Sequence, residues 1–420
     1  MSRTLTADNF GPIFDADNHY WETSDSFMRH RDPKFRDRGL RLVEHEGQVR
    51  YFMGDNLWPM LPGPGELHDR PVPGSLFEYF AGRESVEVRA PSFNQKPADH
   101  PEYYNRDTRL KVMDQQGIEA VWMFPSHGVC IEGPMQTMAA DPEASLNILQ
   151  AFNRWVDDDW GFAYKNRIFA TPILSLTDID LAIAELEWAL QRGARIVSMR
   201  HGPVFTKDGL RSPADPMFDR FWARLQESGV TLVVHAGHED GYKEVTTAMA
   251  RAWGVEYNPL KKWDPTGTDP ALAKGKDFSM QFLMMLQKKR LVHDYAAAII
   301  AQGLFERFPR LRVAFVEFGG TWVDPLLHVL QMAHVQNPGM FGKNPVDQFH
   351  ENCWVAPFVE DNVAQLATHM PSERIIFGSD WPHGEGVAHP RDFFNHLDGS
   401  FSDDDVRKIM VENARGLTYA

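Results

Sequence analysis

The sequence predicts an α/β protein folded as a (β/α)8 TIM barrel with cap insertions, and three observations carry that expectation. Eight short apolar stretches recur along 420 residues, most of them separated by helical stretches, as parallel strands buried on both faces require. Metal-competent side chains stand at the ends of four of these stretches, as Asp17 and His19, His235, Glu317 and Asp380. The competing open doubly wound sheet would show a glycine-rich fingerprint after the first strand, and none is there.

The opening strand falls near 11–17 in Phe14-Asp15-Ala16-Asp17-Asn18-His19. Side chains on a strand alternate faces, so Asp15, Asp17 and His19 are expected to point one way. A helix around 106–116 leads into the second strand, 118–124. The third strand, 167–176, is closed by a helix from 178 to 191, and the fourth, 194–199, by one near 215–228. The fifth, 229–235, is almost wholly apolar until it ends on His235. A long helix over 276–308 precedes the sixth strand, 311–317, which ends on Glu317. The seventh is 353–356, the eighth is 374–380 and ends on Asp380, and a closing helix fits 402–416.

One barrel domain over 1–420 is expected, interrupted by two insertions. Residues 20–105 carry a hairpin-like pair, 40–44 and 48–53, around Glu46-Gly47, then a Pro/Gly-rich loop at 58–65. Residues 238–275 form a second insertion rich in Trp, Tyr and Gly. Both follow the C-terminal end of a strand, the barrel face that carries active sites, and their aromatic content favours ordered caps.

Composition narrows the function classes. A formal charge of −15 argues against a sequence-independent nucleic-acid binder, which needs a basic face. No apolar run reaches the roughly 18–20 residues that span a bilayer, so no membrane partner is expected. The first eight residues lack the apolar core of a signal peptide, and only Cys130 and Cys353 are present, so a reducing cytoplasm is expected. Cys130 reads as a small apolar filler rather than a nucleophile. No glycine-rich phosphate loop, His-Glu-x-x-His pair or Gly-x-Ser-x-Gly elbow is present.

In a barrel the strand ends form one ring, so Asp17, His19, His235, Glu317 and Asp380 would converge. A divalent cation needs such lone-pair donors at roughly 2.0–2.3 Å. Singly, each has a plainer reading: His235 as an ordinary polar strand end, Asp380 as a helix cap before Trp381-Pro382, Glu317 as a turn cap. Four ends closing together point to a metal site. His383 and Glu385, just past Asp380, could orient substrate or support a ligand. His201 is a candidate substrate contact, His238 a solvated neighbour, and His293 a remote candidate on a helix.

The segments Asp17-Asn18-His19, His235 and Phe377-Gly378-Ser379-Asp380-Trp381-Pro382-His383 resemble the amidohydrolase-related group of the amidohydrolase superfamily. That group includes aminocarboxymuconate-semialdehyde decarboxylase and the resorcylate-type decarboxylases. The resemblance runs over 11–19 and 106–416; the strand-eight motif and the phrase at 305–312 are its more specific parts. It implies a metal-dependent barrel hydrolase or lyase with Asp17, His19, His235 and Asp380 as ligands. Two positions depart from the pattern. Many members have His-x-His on strand one, where this chain has Asp17-x-His19. Decarboxylases of the group typically end strand six on an acidic histidine, where this chain has Glu317. Three carboxylates with two imidazoles make a harder site, which brings iron or manganese in as alternatives to zinc. A second ion, held by Glu317 with Glu22 or a nearby histidine, would make the site binuclear.

The leading expectation is a zinc-dependent hydrolase acting on an amide, ester or lactone of a small organic molecule through metal-activated water. Asp380 would accept the water's proton and return it to the leaving group, with Glu317 binding metal or assisting proton transfer. Trp21, Trp58, Trp253 and Trp381 would help the caps exclude water and select substrate. Three alternatives stand beside it: a non-oxidative decarboxylase in which Asp380 or Glu317 protonates the carbon losing CO2, an oxygen-dependent iron or manganese enzyme, and a non-catalytic partner subunit. A homo-oligomer paired through helical faces near 290–307 is also expected.

Overall fold

Parallel pairing of buried strands builds the core. The computed structural model describes residues 4–58, 69–83, 94–237, 279–397 and 399–419. Strand β1 (Ile13–Tyr20) is buried along its whole length. It pairs in parallel with β2 (Ile118–Pro125), which pairs with β3 (Ile168–Ala170). A second parallel run is ordered β4 (Ile196–Met199), β5 (Thr231–His235), β6 (Val313–Val316) and β7 (Cys353–Val355). Parallel bridges join the two runs, Ile173 to Ser198 on one side, and Val355 to Ile375 and Asn18 to Trp381 on the other. Residues 375–381 thus form the eighth stave. Ile376 N donates to Val355 O at 3.0 Å and Ala16 N to Phe377 O at 2.9 Å, closing the TIM barrel.

Three strand expectations change. β1 runs to Tyr20, three residues past the expected end, and slips register against β2 between Asp15 and Asn18. Such a bulge re-aims side chains, and it takes Asp15 out of the row formed by Asp17 and His19. β3 is short, and the chain rejoins the sheet only at Ile173. The eighth stave is not a continuous strand, because Asp380 adopts a left-handed backbone (φ 55°) at the end of the motif.

Helix boundaries follow from capping chemistry. Asn105 caps α1 (Arg106–Gln116), accepting from the N–H groups of Asp107 and Thr108, and Gly117 (φ 68°) ends it. Asp141 and Pro142 start α2 (Pro142–Asp159), a helix the sequence reading did not place although its start signal is present. Asp178 caps α3 (Ile179–Gln191), and Gly229 (φ 67°) ends α4 (Asp219–Ser228). The expected helix over 276–308 is two: α5 (Ser279–Ala301), then, past a left-handed Gly303, a single turn at Leu304–Arg307. The closing helix begins on a Ser402/Asp405 capping box and passes through a π-helical segment, Lys408–Glu412. No helix among the described residues is long and apolar enough to cross a membrane.

In the first insertion, Leu40–His45 and Gln48–Met53 form the expected antiparallel hairpin, turning on Glu46 (φ 50°) and Gly47 (φ 74°). Phe27 stacks on Phe152 of α2 at 4.7 Å and anchors this sheet to the barrel. Farther on, Gly74 N donates to His383 O at 3.1 Å and Leu76 N to Gly384 O at 2.7 Å, tying the insertion to the strand-eight loop. The second insertion, 238–275, lies outside the described residues.

Gly378 lets the eighth stave approach β1, since a Cβ there would lie 2.5 Å from the Asp17 Cβ. Gly378→Ala is therefore expected to cost about 1–3 kcal/mol of stability by overpacking, read from the denaturant midpoint of the metal-free protein. An unchanged midpoint would mean that the two staves are not in this contact.

Candidate metal centre

The barrel's C-terminal end gathers side chains from four places. β1 supplies Asp17 and His19, β5 ends on His235, Glu317 (φ 63°) turns the chain after β6, and Asp380 follows the eighth stave. Asp17, His19, His235 and Asp380 are all buried. His19 Nε2 lies 3.2 Å from Asp17 Oδ1 and 3.4 Å from Asp380 Oδ1. His235 Nε2 lies 3.3 Å from the same Asp17 oxygen, and its Nδ1 is 3.4 Å from Glu317 Oε2.

The other ring nitrogens assign the tautomers. His19 Nδ1 donates to Pro125 O at 3.2 Å and His235 Nδ1 to Ala236 O at 2.6 Å, because a carbonyl can only accept. Each ring then turns Nε2 toward Asp17 Oδ1, His19 with a lone pair and His235 with either a lone pair or a second proton. Lone pairs facing a carboxylate oxygen repel unless a proton or a cation lies among them. Donors about 2.1 Å from one ion stand roughly 3.0–3.4 Å from each other, which matches the His19–Asp17, His235–Asp17 and His19–Asp380 separations, and Asp17, His19 and His235 lie close enough together to share one ion. The donor set fits a divalent cation.

Ionisation supports the fit. Burial, with His383 and His235 nearby, pushes His19 down to about 3 against the pull of Asp17, so its imidazole is neutral near pH 7. Burial opposes charge on His235 too, but Asp17 and Glu317 outweigh it and raise its pKa. Burial would raise Asp17, yet the two imidazoles hold it well below the usual carboxylate range. A proton on His235 and a metal ion therefore compete for one lone pair.

Beside these donors runs a chain that holds protons. His383 Nδ1 lies 2.6 Å from Asp380 Oδ1, and His383 Nε2 lies 2.8 Å from Ser126 Oγ, whose hydroxyl donates to Tyr20 O at 2.7 Å. Burial alone would lower His383, but Asp380, Glu385 and Glu317 raise it to about 9. Burial, reinforced by Glu317 and Glu385, pushes Asp380 upward although His383 pulls the other way. Glu317, Asp380 and Glu385 form a further group of carboxylates close enough to share an ion. The Trp21 ring stands 5.2 Å from His383, and Tyr103 packs edge-on to Trp381 at 5.6 Å.

The structure brings together Asp17, His19, His235, Glu317, Asp380, His383 and Glu385. Glu22 is in none of the metal-competent groups among the described residues; its Oε1 accepts the N–H groups of His127 and Gly128 at 2.8 and 2.7 Å. His293 sits on α5 against Asp294. His201 is buried edge-on to Phe318 beside His235, outside the metal-competent groups. Trp58 is buried against Phe27 and Tyr51 in the cap core. His238 and Trp253 lie outside the described residues. Sequence reading missed Ser126 and the underlying Asp15, Asn18, Arg109 and Ser379. Ser126 directly follows β2, so the strand-end argument would have found it; Arg109, inside a helix, carries no local signal.

The Amidohydrolase family model matches residues 14–417, and the chain belongs to the amidohydrolase family. The gamma-resorcylate decarboxylase of Rhizobium radiobacter is 24% identical over 359 residues, 82% of this chain and 97% of that protein. Among solved structures, an amidohydrolase from Mycobacterium avium subsp. paratuberculosis K-10 is 37% identical with a TM-score of 0.84, covering 97% of this chain and 99% of that one. A dihydroxybenzoic acid decarboxylase from Polaromonas sp. JS666, solved with manganese and 2-nitroresorcinol, shares the fold at 15% identity and a TM-score of 0.55, covering 97% of both chains.

Because an ion must displace the His235 proton, whose pKa lies above the ordinary histidine value, apparent affinity for added manganese or zinc is expected to rise with pH through and above the ordinary histidine range, with proton release. Titration calorimetry in buffers of different protonation enthalpy measures both. His235→Ala should lose more affinity than the roughly 10–100-fold typical of an outer-sphere change. PH-independent binding, or an unaffected variant, would remove His235 from the ligand set.

Proposed function

We propose that this chain is a metal-dependent non-oxidative decarboxylase of a small hydroxylated aromatic carboxylate, and the proton-holding Asp380–His383 pair beside the metal donors carries the reading. The similarity to gamma-resorcylate decarboxylase supports decarboxylation over the hydrolysis expected from the motifs alone. Asp17, His19, His235 and Asp380 would hold the ion. A divalent ion held there would supply positive charge to bind an anionic substrate and to offset the negative charge that develops.

The chain's own groups supply the proton. Decarboxylation adds a proton to the carbon bearing the carboxylate, breaks the bond to CO2, and returns that electron pair to the ring. Asp380 delivers the proton, and His383, 2.6 Å away, replaces it. Ser126 keeps His383 aligned through its 2.8 Å contact. Water restores the proton at the end, so one proton is consumed for each CO2 released. Trp21 and Trp381 wall this side and limit bulk water.

The carboxylate-rich donor set favours a hard ion, and the Polaromonas decarboxylase holds manganese, so manganese stands ahead of zinc here. A second ion, if held, would sit among Glu317, Asp380 and Glu385.

Protein loaded with manganese and given 2,6-dihydroxybenzoate and related hydroxybenzoates under anaerobic conditions should release one CO2 per turnover. In D2O the product should carry one deuterium on the carbon that lost the carboxylate. Asp380→Asn should slow turnover by about 10²–10⁴-fold. Solvent oxygen appearing in the product without CO2 would assign hydrolysis instead, and a requirement for dioxygen would assign oxidation.

A further inference from the structure

We infer that Arg109 is a positioning residue for the metal centre, setting the strand-one donor pair and the strand-eight loop from behind; this rests on the metal-centre reading above. Arg109 lies on α1 and is completely buried. Its Nη2 donates to the backbone oxygen of His19 at 2.8 Å, its Nη1 to Asn18 Oδ1, and its Nε to Glu102 O at 2.9 Å. The guanidinium also lies over the Trp381 ring, 4.5 Å from its centroid. One planar group therefore touches the residue carrying one proposed ligand, the residue between both β1 ligands, the residue after Asp380, and the first insertion.

The contact with Asn18 continues the link. Asn18 Nδ2 donates to Asp15 Oδ2 at 2.9 Å. Asp15 in turn accepts Ser379 N at 2.9 Å, Ser379 Oγ at 2.6 Å and Asp17 N at 3.1 Å. Residues 15 and 18 thus alternate with the donors at 17 and 19, and Ser379 precedes Asp380. The network fixes both backbones that present oxygen to the site without itself facing it.

None of Arg109's three hydrogen bonds goes to a carboxylate. A buried guanidinium is costly unless its geometry is well satisfied. Lysine would keep the charge but cannot reproduce the planar fork or the stacking on Trp381.

Two roles make opposite predictions. If Arg109 acted only through charge, Arg109→Lys would leave cation affinity unchanged and Arg109→Met would tighten it by removing a nearby positive charge. If it positions the ligands, both variants weaken it. Manganese and zinc dissociation constants are to be measured by chelator competition on the full chain, well below the unfolding temperature of each metal-free variant. Wild type and His235→Ala serve as references. Positioning predicts about 10–100-fold weaker binding in both Arg109 variants. Wild-type affinity in Arg109→Lys, whether or not its metal-free melting temperature falls, would overturn the proposal and leave a folding role only. If wild type binds neither ion, the metal-centre reading fails first and this inference with it. If His235→Ala loses the ion while Arg109→Lys keeps it, only this inference fails.

Discussion

Two imidazole Nε2 atoms converge on one carboxylate oxygen, Asp17 Oδ1, and the barrel mouth is arranged around that charge problem. Each ring is locked by a backbone carbonyl, Pro125 for His19 and Ala236 for His235. Neither neutral ring can move its proton from Nδ1 to Nε2 without giving up that buried hydrogen bond. The arrangement depends on two departures from regular geometry. The bulge in β1 separates Asp15 from the ligand row, and left-handed residues at 317 and 380 turn carboxylates inward where a straight strand would carry the chain past the site.

Asp380 belongs to two sets at once. Toward His19 it is 3.4 Å from Nε2, and toward His383 it is 2.6 Å from Nδ1. A cation on the first side favours its ionised form; the acidic neighbours Glu317 and Glu385 favour its protonated form. In the proposed reaction, metal binding and proton delivery are therefore linked through a single carboxyl group. Ser126 and Tyr20 complete the proton side from β1 and β2, so both sets share strands as well as Asp380.

Much of this was legible because barrels put strand ends in one ring. Asp17, His235, Glu317 and Asp380 could be picked from their places after apolar runs, and α1 and α3 from their Asn105 and Asp178 caps. What escaped depends on contacts between distant segments. The bulge at Asp15 is set by pairing with β2 and by Ser379, more than 360 positions away. Trp58 looked like a pocket wall because aromatic residues in an insertion have no visible partner until Phe27 and Tyr51 close on it. The break at Gly303 was open to inspection, since glycine in a helical run marks a possible left-handed end, but the apolar pattern on either side masked it.

Glu317 at the end of strand six carries the sharpest chemical consequence. A histidine there could donate a proton while carrying positive charge; a carboxylate instead places negative charge beside Asp380 and His235. That charge raises His235, Asp380 and His383 together. In the proposed reaction the acid function therefore moves from strand six to the loop after strand eight. There His383 already carries a retained proton and Asp380 stands between it and the metal donors. A carboxylate at position 317 is thus compatible with the proposed decarboxylation, provided that the proton comes from the neighbouring strand-eight loop.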